Sequence, residues 1–159
     1  MRGKDQPFIL IAEDNPDDVV MLRRAFGHSG ITTSLQVVSD GEQVVEYLSG
    51  TGKFSNASEY PLPDVLLLDL KMPRKNGFDV LRWIAEQPWL ARLRVVVLTT
   101  SEELRDVNEA YRLGASSFLV KPVNFSEFRN TLTAMHEYWM SFNQSAQMTR
   151  LKRPVNPKN

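Results

Sequence analysis

The run Val65-Leu66-Leu67-Leu68 has no polar face. A strand that is apolar at every position is buried on both sides, as in a parallel sheet covered by helices on its two faces. The run ends at Asp69, and Lys71-Met72-Pro73 stops it, because proline cannot donate to a strand ladder. A carboxylate at the carboxyl end of a central strand is costly to desolvate unless a cation or hydrogen bonds compensate it. That edge is also where open α/β sheets hold their ligands. Asp69 is therefore either a site residue or a loop acid just clear of the sheet.

The rest of the chain alternates strand and helix signals. Phe8 to Ala12 reads as a buried strand ending in Glu13-Asp14. Asn15-Pro16-Asp17-Asp18 has the form of a helix start, with Asn15 as N-cap, Pro16 at the first helical position and acids in the first turn. Val19, Leu22 and Phe26 share one face of that helix, and Gly30 lies beyond its end. Leu35 to Val38 is a short second strand, and Asp40-Gly41 a turn and cap before a helix carrying Val44, Val45 and Leu48. Ser49 to Pro63, rich in Gly, Ser, Asn and Pro, is a long surface loop with room for a fragment of helix. After Asp69, Pro73 and Gly77 lead into a helix with Phe78, Leu81 and Ile84 inward. Arg94 to Thr99 is a fourth strand, Glu102 to Leu113 a helix ended by Gly114, and Ser117 to Val120 a fifth strand. Asn124 or Ser126 caps the final helix. Five such units predict an α/β fold: a doubly wound, five-stranded parallel sheet with helices on both faces. A single domain over residues 1–143 is expected, with a C-terminal tail, 144–159, and no output domain.

Lys+Arg and Asp+Glu number 19 each, so the formal net charge is zero. That balance recommends neither nucleic acid nor an anionic membrane as a bulk partner. The absence of cysteine excludes disulfides, thiolate catalysis and Cys-ligated metals, and suits a reducing cytoplasm. Met1 to Pro7 is polar and lacks the form of a signal peptide. No apolar stretch approaches the roughly 18 residues of a membrane helix. A cytoplasmic protein is expected.

In this topology the carboxyl ends of the strands share one edge, so Glu13, Asp14, Asp69, Thr99 and Lys121 should converge. Three carboxylates alone would repel and raise one another's pKa values. They are reconciled by a hard divalent cation with oxygen ligands, Mg²⁺ above all. A lysine and a hydroxyl beside it suit the equatorial oxygens of a phosphoryl group. The chemistry implied is phosphoryl transfer onto a carboxylate.

The chain resembles the receiver domains of two-component response regulators over about Phe8 to Met140. The stand-alone receivers associated with phytochrome-type histidine kinases are the nearest in form. The resemblance is carried by Leu10-Ile11-Ala12-Glu13-Asp14-Asn15, by Asp64 through Pro73 with Gly77, by Leu98-Thr99-Thr100-Ser101, and by Gly114 through Pro122. It implies Asp69 as phosphoacceptor from a sensor histidine kinase. It implies Glu13, Asp14, Asp69 and the backbone carbonyl of Lys71 around Mg²⁺, with Lys121 and Thr99 on the phosphoryl oxygens. Phe118 would stand at the aromatic switch position, and Lys121-Pro122 would be a cis peptide.

Plainer readings compete with these. Glu13 could be an ordinary strand-end charge, Thr99 a β-former, Phe118 a core aromatic and Lys121 a solvated lysine; Asp17 and Asp18 read as helix-start acids only. His28 and His136 lie on helices away from the strand edge, and Trp83 to Trp89 reads as core. Two features depart from the family pattern. Phe118 replaces a common Tyr and so brings no hydroxyl, and Lys71 sets a flexible cation at the mouth of the site. A haloacid-dehalogenase-type phosphatase would need an acid at Lys71, and a flavodoxin-like FMN binder a hydroxyl-rich loop at Glu13-Asp14-Asn15. A receiver that has lost phosphorylation and serves only for protein interaction is the closer rival. Finally, Phe125, Phe128, Leu132, Met135, Trp139 and Phe142 recur at steps of three and four. The last helix outruns what a sheet needs by about two turns. Phe128, Met135, Trp139 and Phe142 are therefore expected at a homodimer seam, with Met148 and Leu151 beyond them; the alternative is a tail folded back over its own domain.

Overall fold

The apolar runs form five strands: β1 (Phe8–Ala12), β2 (Ser34–Val38), β3 (Val65–Leu68), β4 (Arg94–Thr99) and β5 (Ser117–Val120). The computed structural model describes residues 8–28, 34–100, 103–121, 124–146 and 153–154. The strands pair in parallel in the order β2-β1-β3-β4-β5. Helices α1 (Pro16–His28), α2 (Gly41–Ser49), α3 (Gly77–Ala85), α4 (Leu104–Arg112) and α5 (Phe125–Ala146) connect or follow them. Every residue of β1 and of β3 is buried, as an all-apolar central strand requires. The edge strands β2 and β5 are only half-buried along most of their length.

Two cores lie on opposite faces. Ile9, Ile11, Val65, Leu67, Val96 and Leu98 meet Leu22 and Phe26 of α1 and Phe128 and Leu132 of α5. Leu10, Leu66, Leu68, Val95 and Val97 meet α2 and α3 through Val44, Leu48, Val80, Leu81 and Ile84, with Ala110 of α4 beside them. The loop after α2 is not merely a surface loop. A short 3₁₀ turn (Gly52–Phe54) drops the Phe54 ring against Tyr47, and Tyr60 closes the cluster edge-on.

The caps follow the sequence. Asn15 Oδ1 accepts from Asp17 N at 2.9 Å, Asp40 Oδ1 from Gln43 N at 2.8 Å, and Asn124 Oδ1 from Glu127 N at 2.8 Å. Asn76 and Asp79 form a reciprocal capping box at α3.

The last helix corrects one expectation. Phe128 is fully buried in the chain's own core between α1 and the sheet, as is Leu132, so Phe128 has no surface to offer a second copy. From Phe125 to Met135, the three-and-four spacing that suggested a seam is the spacing by which α5 covers the sheet. Met135 is half-buried against the same core. The side chains of Trp139 and Phe142, and all of Met148 and Leu151, lie outside the described residues. Arg153, by contrast, returns to the domain. Its guanidinium donates to the carbonyls of Leu48, Tyr47 and Tyr60 at 3.0, 2.8 and 3.0 Å. It thereby caps the Leu48 carbonyl at the end of α2 and adds a second donor to the Tyr47 carbonyl, which also accepts from Gly50 N. We expect Phe128→Ala to lower unfolding stability by about 3–5 kcal/mol, measured as a fall in the urea midpoint at unchanged slope.

Candidate functional site

Each strand end is set by a backbone bond that carries the ladder one residue further. Glu13 N donates to Val38 O (3.0 Å), Asp69 N to Ala12 O (3.1 Å), and Lys121 N to Thr99 O (2.7 Å). These bonds bring the side chains of Glu13, Asp69 and Lys121 to one edge of the sheet, where all three are buried. Asp14, next along the chain, is exposed. Glu13, Asp14 and Asp69 each present an oxygen within 4.8 Å of the others'. Thr99 ends β4, is fully buried, and pairs with Val120 in the register that places Lys121 next.

Lys121 organises the pocket. Its Nζ donates to Glu13 Oε2, to Asp18 Oδ2 at 2.8 Å and to Asp69 Oδ2 at 3.1 Å. An ammonium has three protons, so its donors are fully used. Burial alone would push this lysine's pKa down; the hydrogen bonds to Asp18 and Glu13 and the charge of Asp69 outweigh it and hold the pKa above the usual range. Glu13 moves the other way for a carboxylate. Its burial pushes it up to about 7 against the pull of Lys121, and neighbouring Asp69 adds to the rise.

Asp18 was missed. Read as a helix-start acid, it sits in the first turn of α1 and turns in to Lys121 rather than out to solvent. The signal available was its place in the first turn of α1, directly after the strand end that carries Glu13 and Asp14.

The loop after Asp69 is tied down at both ends. Asp69 Oδ1 accepts from Lys71 N at 3.1 Å, and Gly77 N donates to Leu70 O at 3.0 Å. A Cβ at Gly77 would stand 2.6 Å from Asp69 O, so only glycine allows this approach. Between them Arg74 adopts φ 65°, and its guanidinium pairs with the buried Asp40. Lys71 is exposed. Phe118 is half-buried against the core on the α2–α4 side. A hydroxyl does reach this strand, from another residue: Tyr111 Oη accepts from Phe118 N at 3.1 Å. The Lys121-Pro122 peptide lies outside the described residues, as do the side chains of His28 and His136.

The donor set fits a hard divalent cation: carboxylate oxygens only, two of them on buried residues and one on an exposed residue. Glu13, Asp14 and Asp69 are the residues that would hold it.

The model of the response regulator receiver domain matches residues 9–133. The chain belongs to the response regulator receiver family. This receiver is 33% identical over 145 residues to the probable methanogenesis regulatory protein FilR2 of Methanothrix harundinacea, covering 91% of each chain. Among solved structures it is similar to the phosphorylated cyanobacterial phytochrome response regulator RcpA, with a TM-score of 0.78 at 33% identity, covering 86% of this chain and 96% of that one. It is also similar to the Mn²⁺-bound form of Rcp1, with a TM-score of 0.76 at 30% identity, covering 92% and 99%. Rcp1 is a response regulator of Synechocystis. The five-stranded parallel sheet of the receiver is the fold its strand pattern predicts. Among the described residues, no helix is long and apolar enough to cross a membrane.

Proposed function

We propose that this receiver takes a phosphoryl group from the phosphohistidine of a sensor histidine kinase onto Asp69. The observation that carries the reading is the meeting of the Asp69 carboxylate with Lys121 and with the acids Glu13 and Asp14 in one buried edge pocket. An Asp69 oxygen attacks phosphorus, the P–N bond breaks, and the freed imidazole takes up a proton. Lys121 supplies positive charge to the phosphoryl oxygens, and Thr99, at the neighbouring strand end, is the hydroxyl donor to the modified Asp69. Mg²⁺, when bound by Glu13, Asp14, Asp69 and the Lys71 carbonyl, neutralises charge that develops on the transferring group. Movement of Thr99 would be read at the surface through Phe118, whose backbone already bonds Tyr111. Slow hydrolysis of the acyl phosphate resets the protein.

The kinase is of phytochrome type on the strength of the likeness to the phytochrome response regulator RcpA, and the setting is the cytoplasm. Incubation with a purified, autophosphorylated phytochrome-type kinase tests this: label should pass to the receiver within minutes in Mg²⁺ and remain on the kinase in EDTA. Retention by the kinase in Mg²⁺ would refute that partner. The intact acids, threonine and lysine disfavour the rival reading of a receiver that works without phosphorylation.

The metal requirement carries a pH signature. Mg²⁺ needs Glu13 as a carboxylate, and burial holds that group near 7. Below its pKa a bound proton must leave before the metal enters, so apparent affinity should rise with pH through this window. We expect about tenfold tighter Mg²⁺ binding at pH 8 than at pH 6, read by calorimetry, with the difference abolished in Glu13→Gln.

Association of two receivers through the C-terminal half of α5 is part of the same proposal. Sedimentation at micromolar concentration should show a dimer that is lost on removal of residues 137–159.

A further inference from the structure

We propose that Asp18 is a positioning residue of the phosphorylation site: it holds the Lys121 ammonium beside Asp69, and its standing charge opposes the phosphorylated state. The inference rests on Asp69 being the phosphoacceptor, and it concerns a residue outside the acids, threonine and lysine already assigned.

In the resting pocket Lys121 spends one proton each on Glu13, Asp18 and Asp69. A bond from the lysine to a phosphoryl oxygen must therefore displace one of these. Two of the three acceptors have another part to play. Asp69 becomes an acyl phosphate, and Glu13 faces the cation. Asp18 alone has neither task, being on α1 rather than at a strand end, and its side chain keeps 26% exposure against 6% for Lys121. It can keep its hold on the ammonium throughout, as a fixed carboxylate beside the reacting group.

The sign of its effect follows from charge. Bonds of 2.8 and 3.1 Å to a common nitrogen put the Asp18 and Asp69 oxygens within about 6 Å of each other. Phosphorylation turns Asp69 from a single negative charge into a group of nearly two. A standing carboxylate that close opposes the modified state and favours a bound cation. Removing its charge should thus strengthen binding of a phosphoryl mimic while weakening binding of Mg²⁺. A residue serving only to stabilise the fold would not move the two in opposite directions.

The test compares wild type, Asp18→Asn, Asp18→Glu and Asp17→Asn, the last removing an equal charge from an exposed neighbour in the same turn. Beryllofluoride affinity is measured at saturating Mg²⁺, and Mg²⁺ affinity separately by calorimetry. In Asp18→Asn we expect beryllofluoride to bind about three- to tenfold tighter and Mg²⁺ about two- to fivefold weaker. Asp17→Asn should stay within about twofold of wild type in both, and Asp18→Glu should return both toward wild type. Beryllofluoride binding that is unchanged or weaker in Asp18→Asn overturns the inference, as does an equal response in Asp17→Asn. Failure of the wild type itself to bind beryllofluoride while binding Mg²⁺ overturns the phosphoacceptor reading, and this inference with it.

Discussion

Replacement of Asp69 by Asn should reduce uptake of phosphate from acetyl phosphate and Mg²⁺ to background while leaving the protein folded. The amide has no anionic oxygen to attack phosphorus, so the loss is of the nucleophile and not of binding alone. The fold should persist because Lys121 keeps Glu13 and Asp18 as acceptors, and because the backbone bond from residue 69 to Ala12 O does not involve the side chain. Mg²⁺ should bind more weakly, one of three clustered carboxylates being gone. Acid-labile phosphate in the variant at wild-type stoichiometry would place the acceptor elsewhere.

Lys121→Ala should separate the two halves of the site. Beryllofluoride mimics an acyl phosphate where a carboxylate, a metal and a cation converge, and the ammonium is the cation that the pocket itself provides. Its loss should weaken beryllofluoride binding on the order of a hundredfold or more, the range seen when one partner of a buried charged hydrogen bond is removed. Mg²⁺ binding should survive or tighten above pH 7, because the three acids lose their competing positive charge. The variant leaves Glu13 and Asp69 buried without a counter-charge, and Glu13, already inclined to hold a proton near neutrality, takes one up more readily. Reduced stability should therefore be most marked at alkaline pH. Beryllofluoride affinity equal to wild type would show that the lysine does not meet the phosphoryl group.

What could be read from the chain, and what could not, follows a physical division. Strands β1 and β3 declare themselves because a run apolar at every position has one use in a soluble α/β fold, and the strand ends then fix where Glu13, Asp69 and Lys121 meet. Asp14 read correctly as a strand-end acid, but Asp18 read as a helix-start acid only, because its bond to Lys121 joins residues 103 apart in the chain. Phe128 illustrates the converse limit. Heptad-like spacing records that one face of α5 is apolar, but the same stripe serves a sheet or a second helix, and at Phe128 and Leu132 the sheet and α1 bury it. Arg153 gave no periodic signal at all. Its three carbonyl partners belong to the end of α2 and the loop beyond, about a hundred residues earlier. Tyr111 on α4 accepts from the Phe118 backbone N–H, a contact across elements that no local pattern encodes.

The central claim is that Asp69 is the residue modified. Treatment with acetyl phosphate in Mg²⁺, reduction with borohydride to convert the acyl phosphate to homoserine, and peptide mass spectrometry test it directly. The expected result is homoserine at position 69 alone, absent when EDTA replaces Mg²⁺. Conversion at Asp14, Asp18 or Glu13 with Asp69 intact, or no conversion in a folded, Mg²⁺-binding protein, would contradict it.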